Sequence, residues 1–504
     1  MTPPITLIFA GLVVLPWLNP FAPGPSPAVV PLLVSWFCIA VILVVASSNR
    51  QVTKRFALPD TAAWSWLVAG LVSCALGGLQ FFGAANELGF WVNQTQPGEA
   101  FANLRQRNQF ATLTNIALAA LFWLALKANQ EQKDFQTKHV GWFLSATLLV
   151  VGNGMSSSRT GLVQLVLLVA LYATWCKLRN PGLRGLLLCV VVAYAVSVVA
   201  IPWAAGLDPA THGAFARLGK DDACSSRLIL WSNVLTLIAQ KPWLGWGWGE
   251  LDYAHFITLY NGPRFCDILD NAHNLPLQLA VELGVPAALL ICGVFAGWVV
   301  RQKPWAERDA TRQMAWAVIA LISLHSMLEY PLWYGPFQMA FGICIILLWR
   351  QKPPLNDECS LENQSNRPLA LVFIRLFAII SIAFIGYAAW DYRRISQIYL
   401  EPESRSAAYR SDTLNKIRSS WLFADQVVFA ELLTTPLRPV NAAWTLATAK
   451  RLLHYSPEPR VIEKLIESAV LLNQEDVALA HLARYKAAFP KEHALWAKAN
   501  QKQL

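Results

Sequence analysis

Charge is what this 504-residue sequence has least of. Asp, Glu, Lys and Arg make up 14% of it, against 55% hydrophobic residues, where a soluble globular chain carries about 25% charged residues. So little charge cannot cover a water-facing surface, which excludes a wholly soluble protein. Charge is scarcest inside the long apolar runs, whose interiors are nearly free of it; Glu282 and Glu329 lie near motif ends. Carriers pair ionisable groups near mid-membrane, so this scarcity disfavours a transporter or flippase. The sequence also has no Gly-rich phosphate loop of the nucleotide-binding kind. Asp267, Asp270 and His273 are spaced in threes, but no second histidine lies at ligand spacing to complete a metal site. No metal is expected, and Asp270 is read as a helix N-cap. No cleavable leader is expected either: Ile5 to Leu18 has no basic segment before it and no clean small-residue cleavage site.

What the sequence does have is apolar length. Runs approaching the ~20 residues needed to cross a bilayer predict eleven spans, at about 5–20, 28–48, 62–83, 110–127, 140–155, 160–176, 185–204, 275–300, 313–330, 336–350 and 369–391. The 22 tryptophans suit headgroup level, where that side chain concentrates. With the N-terminus in the cytoplasm, five short inside connections hold sixteen basic residues: Arg50, Lys54, Arg55, Lys127, Lys133, Lys138, Lys177, Arg179, Arg184, Arg301, Lys303, Arg308, Arg312, Arg350, Lys352 and Arg367. That bias sets the orientation. It also turns the net charge of +10 into a topology signal, so no nucleic acid is expected as a partner. Arg105, Arg107, Arg159 and Arg227 fall on the other side, against the bias, and each needs another reason to be there.

From about 393 the pattern changes to amphipathic helices such as "EPRVIEKLIESAVLLN", with apolar residues at three-to-four spacing and polar or Pro turns between. The chain divides into a membrane domain, 1–392, with a long outer loop at 205–274, and an outer helical domain, 393–504. The tail looks like a tetratricopeptide-type array.

Five polar stretches lie at the outer membrane boundary: "LRQRNQFATL" (104–113), "GNGMSSSRTG" (152–161), "CSSRLILWSNVL" (224–235), "ILDNAHNLPLQ" (268–278) and "HSMLEYPLWYGP" (325–336). Arg159 reads either as an arginine snorkelling from a helix end or as a phosphate clamp, since guanidinium offers a planar fork to anions. Arg227 reads as a solvated loop charge or as a second clamp. His273 alone reads as an interface histidine, yet it stands between two asparagines at a helix start, and imidazole accepts a hydroxyl proton near neutral pH.

"SRLILWSNVLTLIAQKPWLGWGWG" followed by "DNAHNLPLQLAVELGVPAALL" resembles the signature region of the O-antigen ligase and polymerase superfamily, with "RNQFATL" and "SSSRTG" where that superfamily has its other short motifs. "HSMLEYPLWY" and the helical tail are similar, more narrowly, to the bacterial protein O-oligosaccharyltransferases, the pilin-glycosylation ligases. The resemblance runs from about 100 to 390. It implies an inner-membrane transferase that takes a preassembled glycan from a polyprenyl-pyrophosphate carrier, on the periplasmic side, to a hydroxyl of a pilin-like protein. O-antigen ligase or polymerase is the alternative. The donor is already activated, so no cofactor is implied. The resemblance makes His273 the base, or orienter, of the acceptor hydroxyl and gives Arg159 and Arg227 the pyrophosphate. It places Gln109 and Tyr330 in the donor site. Asn274 belongs to the same motif, and it and Asn271 are expected to shape the loop.

Two cysteines, Cys224 and Cys266, lie in the long outer loop, in a compartment that permits disulfides. A bridge is expected between them, near Arg227 and His273, whereas Cys359 faces the cytoplasm. Deleting the tail after about Arg394 is expected to spare donor binding and weaken transfer to a protein.

Overall fold

The computed structural model describes residues 3–48, 57–130, 135–177, 180–208, 224–350 and 367–501. Arg50, Lys54, Arg55, Lys133, Arg179, Lys352 and Cys359 lie outside the described residues, as does 209–223 of the long loop. Among the described residues the structure is helical, α and 3-10, with no strand. Seven helices among the described residues are long and apolar enough to cross a bilayer: Val29–Ser48, Leu58–Phe81, Arg107–Asn129, Arg159–Cys176, Pro181–Ala204, Val285–Ala306 and Leu369–Tyr399. Thr6–Leu18, Val140–Met155 and Gly335–Trp349 are apolar but shorter. The chain is an all-helical, polytopic membrane protein.

One expected span is wrong in its extent. Residues 275–300 are not one helix but two, Leu275–Leu283 and Val285–Gln302, broken at Gly284. Gly284 has φ +89, and a Cβ there would lie 2.1 Å from the Trp243 carbonyl oxygen. The Trp-rich turn after Pro242 presses its backbone onto the break. Val285 N donates to Pro242 O at 2.8 Å, Trp246 N to Val281 O at 2.8 Å, and Gly247 N to Glu282 O at 3.0 Å. Gly245, with φ +69, meets the Glu282 carbonyl from the other side. No side chain fits either position, which is the physical meaning of "WLGWGWG" facing "ELGVP".

The chain forms two compact units. The first comprises Met1–Ala22, Ser26–Lys220 and Val299–Tyr387. At its centre is Arg107–Asn129, which is almost wholly buried within the protein. Leu58–Phe81, Phe135–Met155, Arg159–Cys176 and Ala310–Ser326 pack around it. Small residues permit the close approach typical of membrane helices; the hydrogen of Gly70, for example, stands where a Cβ would lie 2.4 Å from Ala117 Cβ. Two of the outer arginines find local reasons here: Arg107 pairs with Glu99 at 3.0 Å, and Arg105 donates to the Pro20 carbonyl.

The second unit joins Asp221–Trp298 to Ala388–Leu504, with Pro23–Pro25. Its helix Leu251–Ile257 faces two cores. Leu251 and Ala254 pack with Leu230, Val234, Leu237 and Val281, while Phe256 packs among Leu446, Leu465, Ile466 and Tyr485 of the tail. The tail helices Ala424–Thr434, Ala442–Leu452, Pro459–Leu471, Glu475–Ala488 and Pro490–Gln501 follow one another through short connections, and successive helices pack together. Their inner faces form the single core that receives Phe256. The loop and the tail are therefore bonded as well as packed: Glu250 Oε2 meets His454 Nδ1 at 2.7 Å, and Arg484 Nε donates to Ile257 O at 3.1 Å.

Candidate functional site

In the second unit, "DNAHN" is folded by its own side chains. Asn271 Oδ1 accepts the His273 N–H at 2.8 Å. Asn274 Oδ1 accepts Leu277 N at 3.1 Å and caps the helix that follows. The N-cap is thus Asn274, not Asp270 as expected, because it is Asn274 that stands one residue before the first helical residue, Leu275, with Pro276 fixing the first turn. Asn271 and Asn274 are both buried. Between them His273 is half-buried and takes φ +50, a left-handed conformation that a non-glycine residue adopts at some cost and that clusters at functional sites. Desolvation raises the Asp270 carboxyl above its ordinary range, and the nearby His273 pulls it back.

Arg227 reaches the same loop through its helix, Arg227–Gln240. One turn on from Arg227, Trp231 Nε1 donates to the carbonyl of Ala272 at 3.1 Å, and Ala272 N donates to Gln278 Oε1 at 2.7 Å. Asn233 clamps the loop further back, accepting Phe265 N at 2.8 Å and donating to Pro263 O at 3.0 Å. Cys224, three residues before Arg227, is bonded to Cys266 across 42 residues of sequence. Residues i and i+4 share a helix face, so Arg227 and the indole that holds Ala272 lie on one face of one helix. The structure brings Arg227, His273, Asn274 and the Cys224–Cys266 bridge onto adjoining elements.

Gln109, Arg159 and Tyr330 lie in the first unit. Each is next in sequence to a member of one hydrogen-bonded chain. The Ser158 hydroxyl donates to Asn108 Oδ1 at 2.6 Å, and Asn108 Nδ2 donates to Glu329 Oε1 at 3.0 Å. Gln109 is buried, Tyr330 is half-buried and stacks on Tyr334 at 5.8 Å, and Arg159 is exposed. Arg159 is the first residue of its helix, and Ser158 caps that helix by accepting Gly161 N at 2.8 Å. Just before the cap, Ser157 has φ +52, and its buried hydroxyl has no hydrogen-bond partner. A helix N-terminus carries unpaired N–H groups and positive potential that suit an anion.

Sequence reading missed a buried polar cluster behind these residues. The Thr112 hydroxyl lies 2.8 Å from Asn108 O, 3.0 Å from Gln164 Oε1 and 2.9 Å from His325 Nδ1. Gln164 Nε2 donates to Leu321 O at 2.8 Å. His325, the first residue of "HSMLEY", is 1% exposed, and its presence in an otherwise apolar run was the available signal. Among the described residues no three His, Cys, Asp or Glu side chains gather as a metal site requires.

Known families match in the same places. A model described as "O-Antigen ligase" covers 142–292, which holds Arg159, Arg227 and His273. "Protein glycosylation ligase" covers 100–125, which holds Gln109, and "Virulence factor membrane-bound polymerase, C-terminal" covers 313–504. The ComP-specific O-oligosaccharyltransferase of Acinetobacter baylyi is 22% identical over 371 residues, which is 73% of this chain and 64% of that protein. The General O-oligosaccharyltransferase of the same organism is 25% identical over 299 residues, 58% of this chain and 49% of that one. The chain therefore spans less than two thirds of the length of either relative. By its ligase-family matches and by these relatives, the chain is similar to the protein glycosylation ligases of the O-antigen ligase superfamily, the resemblance that its motifs carry.

Proposed function

We propose that the protein is a glycosyltransferase of the bacterial inner membrane that moves a preassembled oligosaccharide, en bloc, from a polyprenyl-pyrophosphate carrier to Ser or Thr hydroxyls of a periplasmic, pilin-like protein. Its seven long spans plus Thr6–Leu18, Val140–Met155, Ala310–Ser326 and Gly335–Trp349 make the eleven crossings of the proposed topology. The loop 205–274 and the tail 393–504 then lie on the periplasmic side, the tail as a tetratricopeptide-like domain.

The observation that carries the reading is the tie between Arg227 and His273 through Trp231 and Ala272. In this mechanism His273 takes the proton of the acceptor hydroxyl as its oxygen bonds to the anomeric carbon. The bond from that carbon to the pyrophosphate oxygen breaks, and the lipid pyrophosphate leaves with the bonding pair. Arg227 neutralises charge growing on the leaving phosphate, a role in which positioned cations are worth most. Arg159 is assigned the same anion-binding chemistry at its own helix N-terminus, and Gln109 and Tyr330 are assigned to the donor. Asn274 acts by holding the histidine loop. The relatives' names support a protein acceptor, while the polymerase model over the tail supports the O-antigen alternative.

The test is expression with a lipid-linked glycan pathway in a host that lacks its own ligase, probing both products. Glycan on a pilin-like protein is expected. Glycan on lipid A core alone, with none on protein, overturns the protein acceptor and promotes the O-antigen ligase.

A further inference from the structure

The Arg227 helix has an unusual second face. Leu230, Val234, Leu237 and Ile238 are buried in the core of its unit. On the opposite side Leu228, Ser232, Leu235, Thr236 and Ala239 are exposed, Leu228 at 78% and Leu235 at 55%. These residues, with Trp231, line one open groove. That face carries no charge along its whole length, and the Thr236 hydroxyl is satisfied internally by Ser232 O at 3.0 Å. A face meant for water seldom lacks charge altogether, and a contiguous exposed apolar patch marks an interaction surface.

The turn that follows the helix identifies what covers it. Trp243, Leu244 and Trp248 are 76%, 86% and 63% exposed. The same turn is fastened to the first residue of a membrane span, since Val285 N donates to Pro242 O at 2.8 Å. Further along that span Leu289, Leu290 and Val294 are exposed, as lipid-facing residues are. Trp243 and Leu244 therefore sit at the depth where Val285 enters the bilayer, which is where tryptophan concentrates. From there the apolar face continues along the helix to Leu228, about 20 Å at 1.5 Å per residue.

We propose that the Arg227 helix and the Trp243–Trp248 turn lie in the bilayer–water interface, with lipid acyl chains covering Leu228, Leu235, Trp243 and Leu244. The long loop is thus a membrane-seated element and not a free one. Trp231 belongs both to the lipid-facing groove and to the hydrogen bond with Ala272, so the seat fixes the height of the histidine loop. Arg227 is held at headgroup level, where a lipid-borne phosphate lies.

The test places a nitroxide, through a genetically encoded keto residue, at Leu228, Leu235 or Leu244 of the full chain in nanodiscs of phosphatidylethanolamine and phosphatidylglycerol, with Lys498 in the tail as the aqueous reference. Dissolved oxygen is expected to relax the three labels and a water-soluble nickel chelate is not, giving depths of about 5–10 Å, with the reverse at Lys498. Nickel access at the three sites equal to that at Lys498 overturns the proposal. So does shielding from both agents, which points to a protein partner. The measurement involves no glycan transfer, so its failure and that of the transferase reading are distinguishable.

Discussion

Asn108 and Glu329 are joined by a 3.0 Å hydrogen bond across 221 residues of sequence, and the same Asn108 side chain accepts from Ser158. One amide thus ties together the beginnings of two membrane helices and the turn that carries Tyr330. Hydrogen bonds to charged groups contribute about 1.5–3 kcal/mol. Asn108→Leu, which keeps the size and removes both bonds, is expected to lower the thermal midpoint of the purified protein and to cut transfer more than tenfold. Glu329→Gln keeps an acceptor oxygen and should be the milder change. Equal losses in the two variants would mean that the Glu329 charge, and not the link, is what counts.

Arg159 and Arg227 occupy equivalent places: each is the first residue of a helix capped by the serine before it. Alanine at either is expected to nearly abolish transfer. Lysine should rescue only in part, because an ammonium keeps the charge and loses the bidentate fork. The Ser226 cap provides the control. Ser226→Ala should cost about 0.5–2 kcal/mol of stability while keeping the Arg227 guanidinium. Full activity in both Ala variants of the arginines removes the anion-binding assignment.

His273 is separable into backbone and side chain. A positioned base contributes roughly 10²–10⁴-fold, so His273→Ala should insert and accumulate normally and lose transfer to that extent. Asn tolerates the left-handed region better than most residues. His273→Asn should therefore match wild type in thermal stability and still be inactive. Activity within about twofold of wild type in either variant excludes a proton-transfer role.

The motifs were legible in the sequence because each depends on local chemistry. A Ser before an Arg at a helix start, or an Asn two residues before a constrained His, acts within a turn of chain. The breaks were less legible. The apolar run 275–300 has the length of a span, and hydropathy reads straight through Gly284. Only the approach of the Trp243 backbone, 41 residues earlier in sequence, requires the glycine there. Arg159, Gln109 and Tyr330 were each one residue from the hydrogen-bonded trio, since motif reading favours the larger or charged neighbour over the amide or serine that does the joining. His325 and Thr112 were missed because they meet each other and Gln164 from three different helices.

Asp252 gives the second unit a pH dependence. Burial pushes its carboxyl up to about 7, with Glu250 and Asp270 adding repulsion. The folded state then holds a proton that the unfolded chain has released, so stability falls as pH rises between the usual 3.8 and about 7. Asp252→Asn keeps an oxygen for the Tyr253 N–H, which Asp252 accepts at 2.7 Å, and should flatten that part of the profile. Thermal midpoints across this range check it. An unchanged slope in the variant assigns the dependence to another group.

The tail poses the last test. Read from the sequence, it is separable, and its deletion is expected to spare donor binding. The structure argues for the opposite outcome. Phe256, 2% exposed, sits in the tail's core, only 17 residues before His273, and Tyr253 stacks on His454 with ring centroids 3.7 Å apart. Asp391, fully buried, pairs with Arg394 at 2.7 Å and accepts from Ser420 at 2.8 Å, so a cut after Arg394 also strips a partner from a buried carboxylate. Burying a Phe that is then lost to Ala costs about 3–5 kcal/mol, and uncovering Phe256 altogether costs at least its share of that. Deletion after Arg394 is therefore expected to loosen the loop that holds Arg227 and His273, making it protease-sensitive and weakening donor binding as well as transfer. Phe256→Ala in the full chain should do the same in milder form. A truncated protein whose loop resists protease and binds donor normally would restore the separable tail and leave it a role at the acceptor alone.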